Sequence, residues 1–369
     1  MYFIGLMSGT SMDAIDSALV QFKKDQIALV EYQQYPIDRK IRNRLQSITK
    51  DTPLKEIAHL DVRLGMLFAD AVKTLIRKAD INPNMVTAIG SHGQTVIHKP
   101  DAPEPFSLQI ADPNIIAIQT GITTVADFRR MDIAAGGEGA PLAPAFHACQ
   151  FRSRDKNRVI LNIGGIANIT ILPSDISLNV SGFDTGPGNA LLDAWINQHK
   201  GSDMDTNGTW AGSGKVDNEL LQHLLGYTFF AERPPKSTGR DLFNPGWLNN
   251  RLASLERDIS PEDVQATLVE LTTQSIKDAI NKHANNIDEM YVCGGGVHNT
   301  FLMERLGKLL PNMAVSSIEA IGVNPDAVEA MTFAWLAKCR LETVTANLPS
   351  VTGAKQKVIL GGVFQASKV

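Results

Sequence analysis

The sequence predicts an α/β protein of two lobes, and three observations carry that reading. Apolar runs of strand length alternate with longer amphipathic segments along the whole chain. A strand, a turn of small residues and a second strand occur near the N-terminus and again at 158–172, one such unit in each half. The chain has 369 residues, about twice a common domain size, and 43% of them are hydrophobic, enough for two cores.

The first unit pairs an apolar run at Tyr2–Met7 with another at Ile15–Val20. Between them stand Ser8, Gly9, Thr10 and Ser11, then the carboxylate of Asp13. Glycine and small hydroxyl residues let backbone N–H groups approach a phosphate, and a nearby carboxylate can hold a metal ion directly or through water. A plain polar hairpin loop has the same composition. What favours a ligand turn is its recurrence: Arg158–Leu172 again places a turn, Gly164-Gly165, between apolar runs. Neither turn has the spacing of a Walker loop or a dinucleotide fingerprint.

Leu54–Lys78 carries Ile57, Leu60, Leu64, Leu67, Phe68, Ala71, Val72 and Leu75 near helical spacing and is expected to be a helix. Met85–Gly90 reads as a strand that runs into Ser91-His92-Gly93-Gln94-Thr95, a polar strand-end loop of the kind that binds ligands in α/β folds. Ile110–Gly121 is expected to be a short helix, and Ile122–Ala126 a strand leading to Asp127-Phe128-Arg129. The glycines at 136, 137 and 139, with Pro141, mark the expected joint between the halves. In the second half, Asp184 is expected to be exposed in a turn, with a helix from Asn189. Met290–Cys293 leads into Gly294-Gly295-Gly296 and an amphipathic Thr300–Leu310; a glycine turn at a helix start suits a nucleotide. Helices are expected at Glu262–His283 and Pro325–Leu341, and Val358–Phe364 reads either as a last strand or as packing on the first lobe.

A net charge of −4 gives no electrostatic case for nucleic acid or an anionic membrane. No apolar run reaches the roughly 20 residues of a membrane span. Cys149, Cys293 and Cys339 match no zinc spacing and read as buried small hydrophobes of a reducing compartment. No basic region followed by an apolar core opens the chain, so a cytoplasmic enzyme is expected.

Two hairpins with phosphate-facing turns, one per half, resemble the plan of the actin, hexokinase and Hsp70 ATPase superfamily. Within it, six segments resemble the anhydro-N-acetylmuramic acid kinase family: Gly9–Asp13, Ser91–Thr95, Ala135–Pro141, Asn162–Asn168, Phe183–Asn189 and Cys293–Gly296. Ala14 stands where that pattern places glycine, which matters only if the position needs positive φ. The resemblance implies a two-lobed fold with a nucleotide cleft between the lobes, built of residues 1–132 with 342–369 and of residues 133–341. It implies ATP and Mg²⁺ as cofactors and an anhydro amino sugar as substrate. Its 1,6-anhydro bridge is hydrolysed as O6 is phosphorylated, giving N-acetylmuramic acid 6-phosphate in cell-wall recycling.

The same resemblance assigns Gly9, Thr10, Ser11, Met12, Asp13, Ala14, Ile15 and Asp16 to the first phosphate turn, with Asp13 toward the metal. It assigns Asn162, Gly164 and Gly165 to the second turn and Gly294, Gly295 and Gly296 to the adenosine. Thr95, Arg129 and Glu329 are expected at the sugar, and Asp184 as catalytic base. Three of these have a plainer reading: Asp184 as a turn or helix cap, Arg129 in a surface ion pair, Glu329 on a solvated helix face. His92 is expected to orient its loop and His98 to lie at the surface. Lys215 and Arg240 read as surface charge; Phe229, Phe230 and Trp247 read as core or interface. A kinase of an intact sugar or polyol, and a nucleotide-driven switch of the Hsp70 or actin type, are the competing functions. The oligomeric state is not fixed by the sequence; a homodimer is one expectation.

Overall fold

The computed structural model describes residues 1–9, 12–24, 26–239, 241–284 and 286–366. The chain divides into two compact units, Met1–Gln150 with Asp326–Val369, and Phe151–Pro325.

In the first unit, β1 (Tyr2–Met7), β2 (Ala14–Lys23) and β3 (Gln26–Pro36) form an antiparallel meander. β4 (Val86–Ser91) pairs parallel to β1 on its other side. A separate hairpin, β5 (Gln94–Lys99) with β6 (Phe106–Ile110), follows. β7 (Thr124–Ala126) lies parallel to β4, and the terminal strand Gly362–Phe364 closes that edge antiparallel to β7. β1 has a neighbour on each side and is buried from Phe3 to Met7, which is why it reads as a continuous apolar run. β3 alternates exposed and half-buried positions, as an edge strand does.

The Leu54–Lys78 helix forms as its spacing predicts and buries Leu60, Leu64, Phe68, Val72 and Leu75. The Val328–Leu341 helix lies closer still to the sheet. A Cβ at Gly5 would fall 1.7 Å from the carbonyl oxygen of Ala330, and one at Gly90 would fall 1.9 Å from that of Phe333. Only glycine lets a helix backbone come so near a strand.

The second unit repeats the plan. β8 (Arg158–Ile163), β9 (Ile166–Leu172) and β10 (Ser181–Pro187) form the meander. β11 (Glu289–Cys293) is parallel to β8, and β12 (Ala314–Ser317) is parallel to β11. Both sheets thus share one five-strand order, with the first hairpin's turn opening at the carboxyl end of the central strand. This duplicated α/β unit is the architecture expected of the actin, hexokinase and Hsp70 ATPases. The Pro261–His283 helix crosses the second unit, started by the Ser260 hydroxyl and by proline at its first position.

Four expectations need correction. The units divide after Gln150, not in the glycine-rich stretch before Pro141, so 133–150 belong to the first unit. That stretch is folded onto the buried Asp132, whose carboxylate accepts from the Gly139 N–H, Asn347 and Thr352. The Val328–Leu341 helix also belongs to the first unit, because the bare backbone at Gly5 and Gly90 receives it. The helix expected at Ile110–Gly121 spans Pro113–Thr120; Ile110 is the end of β6, and Asp112 caps the true start at Pro113. Cys293 and Cys339 are buried as expected, but Cys149 is exposed.

Candidate active site

In the first unit, the ends of β1, β4 and β7 converge, the usual position for a ligand in an α/β sheet. The turn after β1 is anchored at both ends. The buried Ser8 hydroxyl donates to Gln94 Oε1 at 2.7 Å, and the Met12 N–H donates to the Gly9 carbonyl at 3.2 Å. Met12 carries the positive φ, 55°, and Ala14 does not, so alanine at position 14 costs the turn nothing. Among the described residues a Cβ at Gly9 would meet no atom within 4 Å. Thr10 and Ser11 lie outside the described residues. Ile15 is fully buried in the core, so only its backbone can face a nucleotide.

Asp13 is exposed, with one carboxylate oxygen accepting from the Ala14 N–H at 3.1 Å. Asp16, the first position after the turn to pair with β1, accepts from Tyr32 Oη at 2.5 Å and Gln34 Nε2 at 3.2 Å. Burial pushes its carboxyl up to about 6 against those two hydrogen bonds, and the charges of Asp13 and Asp326 push the same way.

The sugar-side candidates lie in the same unit. Thr95 sits at a bulge of the β5–β6 hairpin and its hydroxyl accepts from Gln109 Nε2 at 3.2 Å. Arg129 opens a short helix just after β7. Among the described residues it makes no surface ion pair: its Nε and Nη2 donate to His92 Nε2 at 3.1 and 2.8 Å, and its Nη1 donates to the Gly139 carbonyl at 2.8 Å. Burial pushes the guanidinium down to about 10, opposed by the charges of Glu329 and Asp132. Glu329 stands in the first turn of the Val328–Leu341 helix and is half-buried, so the solvated-face reading fails. Burial pushes it up to about 7, Asp16 adds to the rise, and Arg129 opposes it. His98 is half-buried, not at the surface: its Nδ1 meets the Ser107 hydroxyl at 3.0 Å, and desolvation pushes it down to about 4.

The second unit brings three sequence segments to one place. In the turn after β8, the Gly164 N–H donates to the Ile166 carbonyl, and the Asn189 N–H donates back to the Gly164 carbonyl at 2.8 Å. Gly165 O accepts from the N–H groups of Gly188 and Ala190. A Cβ at Gly188 would fall 2.4 Å from Gly164 O. Gly294, at φ 78°, presses on Asn162: a Cβ there would stand 2.3 Å from the Asn162 Oδ1. The Asn162, Gly164-Gly165 and Gly294–Gly296 candidates are therefore neighbours in space, across more than a hundred residues of sequence.

Asp184 is not in an exposed turn. It is a half-buried member of β10, paired with Asn168, and the ladder slips between Asp184 and Gly186. The bulge re-aims the strand there. Asp184 is gripped from the loop that follows: its N–H donates to the Lys236 carbonyl at 3.2 Å, and its Oδ2 accepts from the Thr238 N–H at 2.8 Å. One short loop thus fixes both backbone and carboxylate. Phe229 is buried, and Phe230 and Trp247 pack around Phe243, as core residues. Lys215 is exposed, and Arg240 lies outside the described residues.

The model of the family described as anhydro-N-acetylmuramic acid kinase matches residues 1–366. The chain belongs to that family. A relative of that name from Pasteurella multocida (strain Pm70) is 50% identical, over 100% of this chain and 98% of its own length. One from Coxiella burnetii (strain Dugway 5J108-111) is 49% identical over 99% and 98%, and one from Shewanella woodyi (strain ATCC 51908 / MS32) is 48% identical over 99% and 99%. At such coverage family membership extends to both units.

The sequence reading missed several members of the site. Tyr32 and Gln34 hold Asp16 from β3, and Lys236 and Thr238 hold Asp184. All are joined to their partners by pairing or loop return, which no local motif encodes. Among the described residues no group of three or more carboxylate, histidine or cysteine side chains could cage a metal ion. Nor is any helix among them long and apolar enough to cross a membrane.

Proposed function

We propose that this chain is an ATP-dependent kinase that opens the 1,6-anhydro bridge of anhydro-N-acetylmuramic acid and phosphorylates O6. The product is N-acetylmuramic acid 6-phosphate. The observation that carries this is family membership over the whole chain, at about half identity to relatives bearing that name. The geometry supports it: a carboxylate, Asp184, stands on a bulged strand and accepts from the Thr238 N–H, while the glycine turns at Gly9 and Gly164 leave room for phosphates.

Asp184 is the general base. O6 of an anhydro sugar is bonded to C1 and has no proton to lose. Asp184 therefore takes a proton from water, and that water attacks C1 on the face opposite O6, as in an inverting glycosidase. The C1–O6 bond breaks with its electron pair on O6, which attacks the γ-phosphorus of ATP and displaces ADP. Thr238 fixes the carboxylate so that it faces one direction during this transfer. Thr95, Arg129 and Glu329 bind the sugar; the turns at Gly9–Asp16 and Asn162–Gly165 bind phosphates, and Gly294–Gly296 border the adenosine. Mg²⁺ commonly keeps several waters and binds through one or two carboxylates plus substrate phosphates. The exposed Asp13, with Asp16 three residues on, fits that mode of holding. The ion would neutralise phosphate charge. We place the enzyme in the cytoplasm.

A brief reaction in ¹⁸O-water tests the mechanism, with unlabelled product held in ¹⁸O-water as the exchange control. Label is expected at C1 above the control and none at O6. Label at O6, or a product that keeps its bridge, contradicts the reading. Asp184→Asn should lower kcat by roughly 10²–10⁴-fold with little change in nucleotide affinity.

A further inference from the structure

We propose that His92 is a positioning residue for Arg129, holding the guanidinium through an uncharged acceptor so that its positive charge is kept for an acidic group on the substrate. This rests on the function proposed above.

The hydrogen bonds fix the chemistry. Arginine has only donors, so His92 Nε2, which meets both Arg129 Nε at 3.1 Å and Nη2 at 2.8 Å, must be an acceptor. The ring proton is then on Nδ1, which donates to the Gly93 carbonyl at 2.9 Å. One imidazole thus has both nitrogens committed and is neutral. It is buried, with its ring 4.8 Å from that of Phe333, which in turn lies 5.6 Å from Phe128. Burial and the Arg129 charge both hold it well below the usual histidine range. The Arg129 Nη1 donates to Gly139 O, and Gly139 is itself pinned by its N–H bond to the buried Asp132. Gly139 has φ 71°, a conformation that suits glycine.

Both acceptors on the guanidinium are neutral. Among the described residues Glu329 and Asp132 act on it only through space. Among the described residues three of its five N–H groups have partners, leaving one on each terminal nitrogen. Donors remaining on both terminal nitrogens are what a carboxylate recognises in a guanidinium. An aspartate or glutamate in place of His92 would hold the arginine as firmly but would cancel the charge. A histidine locked in its neutral form orients the guanidinium and leaves its charge uncancelled by that contact. The ligand class this selects is a sugar carrying a carboxylate, such as a lactyl ether, over the same anhydro sugar without one.

The test compares wild type, His92→Phe, His92→Gln, Arg129→Ala and the His92→Phe/Arg129→Ala double variant. The substrates are anhydro-N-acetylmuramic acid and anhydro-N-acetylglucosamine, which lacks the lactyl group. In His92→Phe the KM for the acidic sugar should rise about tenfold or more, as expected when a charged hydrogen-bonding group loses its orientation. Its kcat and the KM for ATP should change far less. His92→Gln, which keeps an acceptor, should recover part of the loss. The double variant should be no worse than Arg129→Ala alone. The neutral sugar should be a poor substrate for every form, with little dependence on His92. An unchanged KM in folded His92→Phe, or losses that simply add in the double variant, would overturn the positioning role alone. Wild type inactive on the acidic sugar would overturn the proposed function, and this inference with it.

Discussion

Glu329 is where a single side chain sets the behaviour of its surroundings. Burial and the neighbouring Asp16 raise its carboxyl from 4.5 to about 7, with Arg129 opposing. Folded protein therefore binds a proton there more tightly than unfolded protein does. The consequence for stability has a definite sign: it is greatest below about 4.5 and declines as pH rises through about 7. The size is on the order of 3 kcal/mol at most for this group. Asp16, raised to about 6, adds a decline within the same window. Glu329→Gln should match wild type in thermal stability near pH 5 and exceed it near pH 8. Parallel pH profiles for the two proteins would show that Glu329 is not desolvated as described.

The two hairpin turns are the elements to which we assign the phosphates of the nucleotide, and they allow a clean experiment. Among the described residues a side chain at Gly9 meets nothing within 4 Å, and one at Gly164 begins at ordinary contact, 3.7 Å from Ile166 O. Neither glycine needs a left-handed backbone. Gly9→Val and Gly164→Val should leave the melting temperature within a few degrees of wild type while each weakens ATP binding, measured by titration calorimetry. Gly188→Ala is the contrast: its Cβ would collide with Gly164 O, so stability itself should fall. Unchanged ATP affinity in the two valine variants would remove the phosphates from these turns. Such turns were legible in the sequence because an apolar strand, a glycine step and a second strand are all local signals. The β5–β6 hairpin was not: Ser91–Thr95 reads as a polar loop, and β5 and β6 mix polar Thr95 and His98 with Ile97 and Leu108, without the clean alternation that marks a strand. Asp184 was expected in an exposed turn because Gly186 and Gly188 follow it closely. The bulge that explains them exists only against β9. His98 and Cys149 were misjudged for a related reason: burial depends on which surface packs above, and their own neighbours in sequence do not say.

At the scale of the molecule, two units of one topology hold separate cores, one built on Leu64, Phe68 and Ile89 and the other on Leu161, Phe183 and Leu271. The tryptophans divide unevenly: Trp195, Trp210 and Trp247 are in the second unit, and Trp335 is in the first. A variant keeping only Trp335 therefore reports the first unit, and its complement, Trp335→Phe, reports the second. Their urea transitions should differ in midpoint, since each core has its own balance of burial and chain entropy. Coincident curves would show that the protein unfolds as a single cooperative block.

The helix that rests on Gly5 and Gly90 belongs to the end of the chain, whereas the strands beneath it belong to the beginning. On the ribosome these partners emerge far apart in time. Between Gly90 and Ala330 the whole of Phe151–Pro325 must be made, and at about 5–20 residues per second that is a wait of roughly 10–50 s. The second unit is continuous in sequence and can finish during that wait. The sheet formed by the first residues cannot. Its bare face of glycine backbone and apolar side chains stays uncovered until the last segment leaves the exit tunnel. A truncation before Asp326 would make that state permanent, so shortened messages of this protein should yield chains that chaperones retain and proteases clear.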